Sequence, residues 1–325
     1  MNEVTAIPEK LKTIQQEIGK AVVGNEDVVR QIITAVLAGG HVLLEGAPGL
    51  GKTLVIKTAG TVMGLDTGRI QFTPDLMPGD IIGTEVLVQD DRAGQRVVFR
   101  KGPVFTNILL ADEINRGTPK TQSALLEAMQ ELTVTVGGTS YRLEPPFIVL
   151  ATQNPIEMEG TYPLPEAQMD RFFFKITVGY PVRKDLSVIA DRTTGSVMPE
   201  LSPAVNREEI LSIKEMIREI PVPQAVKEYA VSLVQYSHPG AEHTPEDIKR
   251  YVRYGASPRG VISLILAGKV MALFDGRYNV GFDDIRNAAY PALRHRLILN
   301  FEGEAEGKTP EDIIGVLLNR VPEHV

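Results

Sequence analysis

Short, almost wholly apolar runs alternate with longer segments of helical periodicity over roughly the first half of the chain. Runs that are apolar throughout are typical of parallel strands covered on both faces. The five runs predicted to be strands are HVLLEG (41–46), RIQFT (69–73), NILLAD (107–112), PFIVLAT (146–152) and FFFKITV (172–178). Helical patterns fall between them at 25–38, 52–63 and 119–131. The alternation predicts a doubly wound α/β domain around a mostly parallel, five-stranded sheet.

Two further patterns interrupt this alternation. GTEVLVQ and QRVVFRK, joined by DDRAG, predict a β-hairpin over about 84–101. TVTVGGTSYRL predicts a second hairpin over 133–143, with Gly137 and Gly138 at its turn. Insertions of this kind can carry specificity, but they are equally compatible with a decoration of the scaffold.

The strand pattern ends after Pro181. A short helix is predicted over 183–192, TTGSVMPELSPAVN is typical of a linker, and the pattern is helical from Arg207 onward. The predicted divisions are an α/β core over 1–182, a connecting segment over 183–206 and an all-helical domain over 207–325.

Composition narrows the class of protein. The 325 residues are 43% hydrophobic and 23% charged, which is typical of a soluble globular protein. The absence of cysteine excludes disulfides, thiolate zinc sites and cysteine nucleophiles, and agrees with a reducing cytoplasm. No apolar stretch approaches a membrane span of roughly 20 residues, and the N terminus lacks the pattern of a secretory signal. With a net charge of −7, we expect a cytoplasmic protein with no membrane insertion and no general affinity for nucleic acid.

GAPGLGKT matches the phosphate-binding pattern G-x-x-x-x-G-K-[ST] in full, between a predicted strand and a predicted helix. Glycines allow backbone N–H groups to face a phosphate chain, and the following helix adds its positive N-terminal end. Lys52 is expected to reach the β- and γ-phosphates of ATP, and the Thr53 hydroxyl to ligate Mg²⁺. The residues expected to contact the nucleotide are Gly46, Ala47, Pro48, Gly49, Leu50, Gly51, Lys52, Thr53 and Leu54.

The strand NILLAD ends in the carboxylate of Asp112, and a second carboxylate, Glu113, follows directly. Ionised carboxylates are costly to bury unless a partner compensates them, and the Mg²⁺ of a P-loop site is such a partner. Asp112 is therefore expected to hold the metal, directly or through water. Because side chains alternate along a strand, Glu113 points elsewhere, and we expect it to polarise the water that attacks the γ-phosphate.

Several segments together resemble the MoxR family of AAA+ ATPases. They are VVGNEDVV, GAPGLGKT, LLADEINRGTPKTQSALLEAMQE, VLATQNP, LPEAQMDRF and GASPRG, spread over residues 22–260. The resemblance covers most of the chain and is more specific than the P-loop alone. It implies an AAA+ core, a C-terminal helical lid, Mg-dependent ATP hydrolysis and assembly into a ring, expected to be a hexamer.

The resemblance also implies roles for residues outside the P-loop. Asn154 is expected to be a sensor that orients the attacking water, and Arg171 an arginine finger that acts on the nucleotide of a neighbouring subunit. Arg259 is expected to reach the γ-phosphate from the lid. The adenine site is expected to be lined by Val22, Val23 and Gly24. Arg259 has a second indication, because an arginine in the first turn of a helix suggests a nearby anion. Judged from the residues alone, each of these side chains also has a simpler explanation. Asn154 could cap a turn, Arg171 could form a surface ion pair with Asp170, and Arg259 could be a solvated side chain. The role of Arg116 is undetermined.

By resemblance, the ring is expected to act on client proteins as a chaperone that matures them or inserts cofactors, often with a protein carrying a von Willebrand factor A domain. One alternative is a magnesium-chelatase-like or helicase-like motor. A helicase should have basic pore hairpins, yet the second hairpin offers only Arg142, and the acids Asp90 and Asp91 accompany the basic residues of the first. Those basic residues are Arg92, Arg96, Arg100 and Lys101. The other alternative is a nucleotide-gated scaffold with negligible turnover.

Overall fold

A computed structural model describes residues 2–90, 94–154, 160–195 and 199–323. The strands are β1 (Val42–Glu45), β2 (Thr67–Gln71), β3 (Gly83–Asp90), β4 (Gly94–Lys101), β5 (Ile108–Asp112), β6 (Thr133–Val136), β7 (Thr139–Arg142), β8 (Ile148–Gln153), β9 (Phe174–Thr177), β10 (Val252–Tyr254) and β11 (Ile298–Leu299). Five of them form one parallel sheet in the order β2-β5-β8-β1-β9, which confirms the predicted α/β core. The residues Asp91, Arg92 and His324 lie outside the described part of the chain.

Helices connect these strands and form most of the C-terminal part. They are α1 (Asn2–Gly19), α2 (Glu26–Ala38), α3 (Lys52–Val62), α4 (Pro78–Ile82), α5 (Pro119–Glu131), α6 (Glu166–Met169), α7 (Arg183–Thr194), α8 (Arg207–Glu219), α9 (Gln224–Gln235), α10 (Glu246–Tyr251), α11 (Pro258–Phe274), α12 (Phe282–Leu293), α13 (Phe301–Ala305) and α14 (Pro310–Arg320), with a 3₁₀ turn at Ile114–Arg116. None of these helices combines the length and the apolar character that a membrane span needs.

The register of the sheet aligns the last residues of its strands. Glu45 pairs with Gln153 of β8 and with Thr177 of β9, and Gln71 of β2 pairs with Asp112 of β5. The last residues of all five strands therefore meet along one side of the sheet, which we call the carboxyl edge. The opposite side, from which the strands begin, is the amino edge.

Each face of the sheet carries its own apolar core. Strand residues such as Leu44 and Leu110 belong to a cluster that includes α1, α2 and α3 and runs on without a break into the lid helices. Their neighbours Leu43 and Leu109 point to the other face, where α5 covers them. Because the lid shares the first cluster, it is attached to the core by apolar packing as well as by the connecting segment. The predicted domain limits remain a prediction.

Both predicted hairpins are confirmed as β3–β4 and β6–β7. Gly137 and Gly138 have φ values of 58° and 81°, the left-handed conformation that glycine adopts most readily and that a tight hairpin turn requires. The stacked rings of Phe99 and Tyr141, with centroids 4.1 Å apart, join the two hairpins.

Three details differ from the expectations. The lid is not wholly helical, because β10 and β11 form a small antiparallel pair; strands of two or three residues are too short for a periodic signal. Helix α1 was not predicted, although its buried side chains recur at helical spacing: Ile7, Leu11, Ile14 and Ile18. The strand predicted from residue 172 begins at Phe174, because the carbonyl oxygens of Phe172 and Phe173 accept hydrogen bonds from lid side chains.

The His41 side chain, directly before β1, bonds to the backbone of β8 and α5. Its Nδ1 accepts a hydrogen bond from the Val149 N–H at 2.9 Å, and its Nε2 lies 3.1 Å from the carbonyl oxygen of Met129. These partners require the neutral ring with its proton on Nε2. Burial lowers the pKa of His41 to about 4.

This buried histidine predicts a loss of stability in mild acid. Between pH 6.5 and about 4 the unfolded chain binds a proton at residue 41 that the folded chain does not. The free energy of unfolding should therefore fall as pH drops through this range, by up to about 3 kcal/mol from this group. Urea unfolding of wild type and His41→Gln at several pH values checks this. The stability difference between the two should shrink towards pH 4, and a pH-independent difference would contradict the assignment.

Candidate nucleotide-binding site

The P-loop connects the end of β1 to α3 at the carboxyl edge. Gly49 and Gly51 have φ values of 82° and 75°, and a Cβ at either position would meet nothing within 4 Å. Their left-handed backbone, rather than lack of space, therefore favours glycine. The Lys52 ammonium donates to the carbonyl oxygens of Gly46 and Ala47, the latter at 2.9 Å. Thr53 follows in the first turn of α3.

The two predicted carboxylates lie within electrostatic reach of this lysine. Burial lowers the pKa of Lys52, and the negative charges of Asp112 and Glu113 oppose that shift. The strands that carry the P-loop and the carboxylates are separated only by β8. The fold thus brings Lys52 close to two adjacent carboxylates that follow it by about sixty residues in sequence.

Thr152, which sequence reasoning did not select, holds the carboxylate pair in place. Its hydroxyl donates to Asp112 Oδ1 at 2.6 Å and accepts from the Glu113 N–H at 2.8 Å. The other oxygen of Asp112 accepts from Arg69 at 2.8 Å. Glu113 has φ 55° and ψ 51°, a left-handed conformation that costs energy for a residue with a side chain. The two carboxylates have different partners, and that they serve different roles stays a prediction.

Glu113 is held by two polar neighbours. Its Oε2 accepts hydrogen bonds from Gln71 and from Arg116, each at 3.0 Å. Arg116, whose role the sequence left open, therefore has an acid partner in this structure. Gln71 was missed because the strand was predicted over 69–73, which placed Gln71 in its middle, whereas β2 ends at Gln71 and brings it to the carboxyl edge.

Asn154 follows β8 at the same edge and is buried. Its backbone carbonyl oxygen accepts a hydrogen bond of 3.4 Å from the Asn115 side-chain amide. Asn115 lies in the 3₁₀ turn that follows Glu113. Because β8 lies between β1 and β5, Asn154 stands between the P-loop and the carboxylate pair. This is the location expected for a residue that orients a water near both.

A cleft beside the P-loop has the character of a base-binding site. Val22, Val23, Leu50 and Leu54 line it from the core, and α7 with the preceding Tyr180 lines it from the other side. Gly24 is not part of the lining. A Cβ there would lie 2.3 Å from the Asp185 carboxylate of α7, so this glycine permits α7 to close on the segment.

Arg171 and Arg259 lie away from this constellation. Arg171 precedes β9 and donates to the carbonyl oxygen of Leu126 at 2.8 Å, while Arg259 pairs with Asp170 at 3.3 Å. Both arginines thus stand at the amino edge, and the four residues of β9 alone span about 13 Å towards the carboxyl edge. The expectation that Arg259 reaches the nucleotide of its own P-loop is not met in this structure. The anion near its helix is Asp170.

Comparison with known proteins agrees with this architecture. Residues 41–174 match the model for the ATPase family associated with various cellular activities (AAA), and residues 244–315 match the AAA lid domain. The chain is 42% identical to Chaperone MoxR1 of Mycobacterium tuberculosis over 94% of this chain and 80% of that protein. It is 41% identical to the uncharacterized protein YeaC of Bacillus subtilis over 94% of this chain and 92% of that one. The chain belongs to the MoxR family of AAA+ ATPases.

A solved structure supports the fold directly. A candidate ATPase from Cytophaga hutchinsonii superimposes with a TM-score of 0.92 at 42% identity, covering 99% of this chain and 97% of that chain.

Proposed function

We propose that this protein binds Mg-ATP at the P-loop and hydrolyses it at a site completed by a neighbouring subunit. The observation that carries the proposal is the sheet geometry, which places the P-loop after β1 and the carboxylates of Asp112 and Glu113 at the end of β5 along one edge, separated only by β8. An ammonium near two carboxylates, beside backbone N–H groups of a glycine-rich loop, suits a triphosphate with a divalent cation.

The residues present fit Mg²⁺. Thr53 offers a hydroxyl and Asp112 a carboxylate, both hard oxygen ligands, and Mg²⁺ is typically held by one or two such groups together with phosphates and water. When bound, the ion would neutralise charge that develops on the phosphate oxygens. Lys52 would add a second positive charge on the β- and γ-phosphates.

Glu113 and Asn154 are the residues proposed to act on the attacking water. Glu113 would accept its proton, and the Asn154 amide, which both donates and accepts, would orient it. The hydrogen bonds from Gln71 and Arg116 to the same carboxylate oxygen of Glu113 restrict its motion, so its direction in the site is set by one neighbour on β2 and one in the 3₁₀ turn.

The arginines at the amino edge are proposed to serve another copy of the chain. Since Arg171 and Arg259 stand on the side of the sheet opposite their own P-loop, a nucleotide that they contact belongs to a neighbour. This arrangement makes hydrolysis depend on assembly, and it repeats head to tail around a closed ring. A hexamer is our proposal for its size.

The output is proposed to be work on client proteins. The name of the relative MoxR1 includes the word chaperone, and a partner with a von Willebrand factor A domain fits the same role. Support from this chain comes from the β3–β4 hairpin, where Leu87 and Val97 face each other and are 63% and 59% exposed. Exposed apolar pairs favour contact with protein rather than with nucleic acid.

Client binding can be tested by trapping. Glu113→Gln protein with ATP should hold clients on an assembled ring and enrich specific proteins from a cell extract. Glu113→Gln carrying Leu87→Ser and Val97→Ser should enrich them less. Equal recovery with the Lys52→Ala chain, which should not bind ATP, would contradict ATP-dependent client binding.

A further inference from the structure

Asp170 joins the lid to the segment that carries Arg171. It lies in the turn between α6 and β9, and its carboxylate has three side-chain partners, all from the lid. Oδ1 accepts from Ser257 at 2.8 Å and from Arg296 at 2.9 Å. Oδ2 accepts from Arg259 at 3.3 Å. The carboxylate therefore has an inward oxygen and an outward oxygen with different partners.

Arg296 gives the inward side a rigid anchor. Its side chain is buried and also donates to the backbone carbonyl oxygens of Asp170, Phe172, Phe173 and Ala292. Burial lowers the pKa of Arg296 to about 10, with Asp170 opposing the shift, so the guanidinium is charged at neutral pH. A planar guanidinium that donates to this many acceptors has little rotational freedom. Its hydrogen bond to Oδ1 therefore also restricts the orientation of the Asp170 carboxylate.

The second carboxylate oxygen of Asp170, Oδ2, accepts a hydrogen bond from the exposed side chain of Arg259. Arg259 lies in the first turn of α11, where the helix dipole repels a cation, and its side chain is about half exposed. Ser257 caps the same helix by accepting from the Arg259 N–H. The Asp170 carboxylate therefore offsets the unfavourable interaction between the Arg259 charge and the helix dipole. Asp170 is also the residue directly before Arg171 in the chain.

We propose that Asp170 is a positioning residue that holds the lid's Arg259 beside Arg171, so that the two guanidinium groups meet the neighbouring subunit's γ-phosphate together. This inference rests on the proposed function. It assigns Asp170 no contact with the nucleotide, because its oxygens are engaged by Ser257, Arg296 and Arg259.

Asp170→Asn removes the outward acceptor and keeps an inward one. The amide oxygen can still accept from Ser257 and Arg296, whereas the amide nitrogen cannot accept from Arg259. We expect kcat for ATP to fall about tenfold, since small misplacements of charged groups are costly in catalysis, with less than about a twofold change in the Kd for ATP at the intact P-loop. Asp170→Glu should restore part of the loss. Asp275→Asn, which removes the negative charge from the lid–core pair with Arg30, is the matched control and should retain wild-type turnover.

Mixed assemblies separate positioning from a structural role. Asp170→Asn subunits supply an intact P-loop, and Glu113→Gln subunits supply an intact Asp170. Random mixing at equal amounts should restore about a quarter of wild-type turnover, the share of interfaces that pair the two intact halves. No rescue of Asp170→Asn, when Arg171→Ala is rescued in the same mixture with Glu113→Gln, would overturn the inference and leave the shared site in place. A matched loss of ATP affinity in Asp170→Asn would also overturn the inference.

Folding of the variants is checked by thermal unfolding and gel filtration. Asp170→Ser is a second neutral variant for which the same rescue is expected. Failure of both variants to fold would also overturn the inference, since Asp170 would then be a structural support whose charge the fold requires. Absence of ATP turnover in the wild-type chain would instead contradict the proposed function itself.

Discussion

Glu113→Gln is expected to bind ATP but to lose at least about a hundredfold in the rate of hydrolysis. An amide of the same size can still accept from Gln71 and Arg116, the partners of the Glu113 carboxylate, but it cannot take a proton from water. Removal of a general base typically costs a factor of about 10² to 10⁴. Phosphate release under saturating Mg-ATP measures the rate, and titration calorimetry measures the binding.

Glu131→Gln is the control for this substitution. Glu131 is an exposed carboxylate at the end of α5, so its loss of charge should leave turnover unchanged. Hydrolysis by Glu113→Gln at the wild-type rate would show that another group activates the water, and the assignment of Glu113 would be wrong. Loss of ATP binding would show instead that Glu113 supports the nucleotide site.

Arg171→Ala is expected to have the second large effect, about a thousandfold lower turnover, which is the lower end of the range for arginine fingers. The substitution removes one hydrogen bond to the Leu126 carbonyl oxygen, so the free energy of unfolding should fall by only about 1 kcal/mol. ATP binding should be retained, because Arg171 lies at the amino edge and the P-loop at the carboxyl edge. Steady-state hydrolysis, chemical unfolding and calorimetry give the three values.

Arg207→Ala is the matched control for Arg171. Its guanidinium also donates to a backbone carbonyl oxygen, that of Pro145, at 2.8 Å, and to the exposed Glu144 carboxylate at 2.9 Å, but it is part of neither the P-loop nor the group formed by Asp170, Arg171 and Arg259. It should lose a similar amount of stability without losing turnover. An Arg171→Ala protein that hydrolyses ATP within about twofold of wild type would exclude the finger role.

The sequence predicted the parts of the site whose chemistry is local. The P-loop needs glycines at fixed spacing before Lys52, and the five apolar runs are long enough to indicate buried strands. Asp112 and Glu113 were selected because a carboxylate at the end of such a run needs a partner. Thr152 and Gln71 were not selected, because their roles depend on which strands become neighbours in the sheet.

The location of Arg259 could not be predicted from its own surroundings. The prediction that Arg259 lies in the first turn of a helix was correct, and the inference of a nearby anion was also correct, since Asp170 lies there. What the sequence did not reveal was how the lid docks. That docking depends on His295 and Arg296, which bond to the backbone of residues 170–173 across more than a hundred residues of chain.

The central claim is that ATP hydrolysis takes place at a site shared between two copies of this chain. The most direct test is the rate of phosphate release per subunit, measured over a wide range of protein concentration at saturating Mg-ATP. The rate should be negligible in dilute protein and rise to a plateau as subunits assemble, as followed in parallel by light scattering. A per-subunit rate that stays constant into the monomeric range, or no phosphate release at any concentration, would contradict the account.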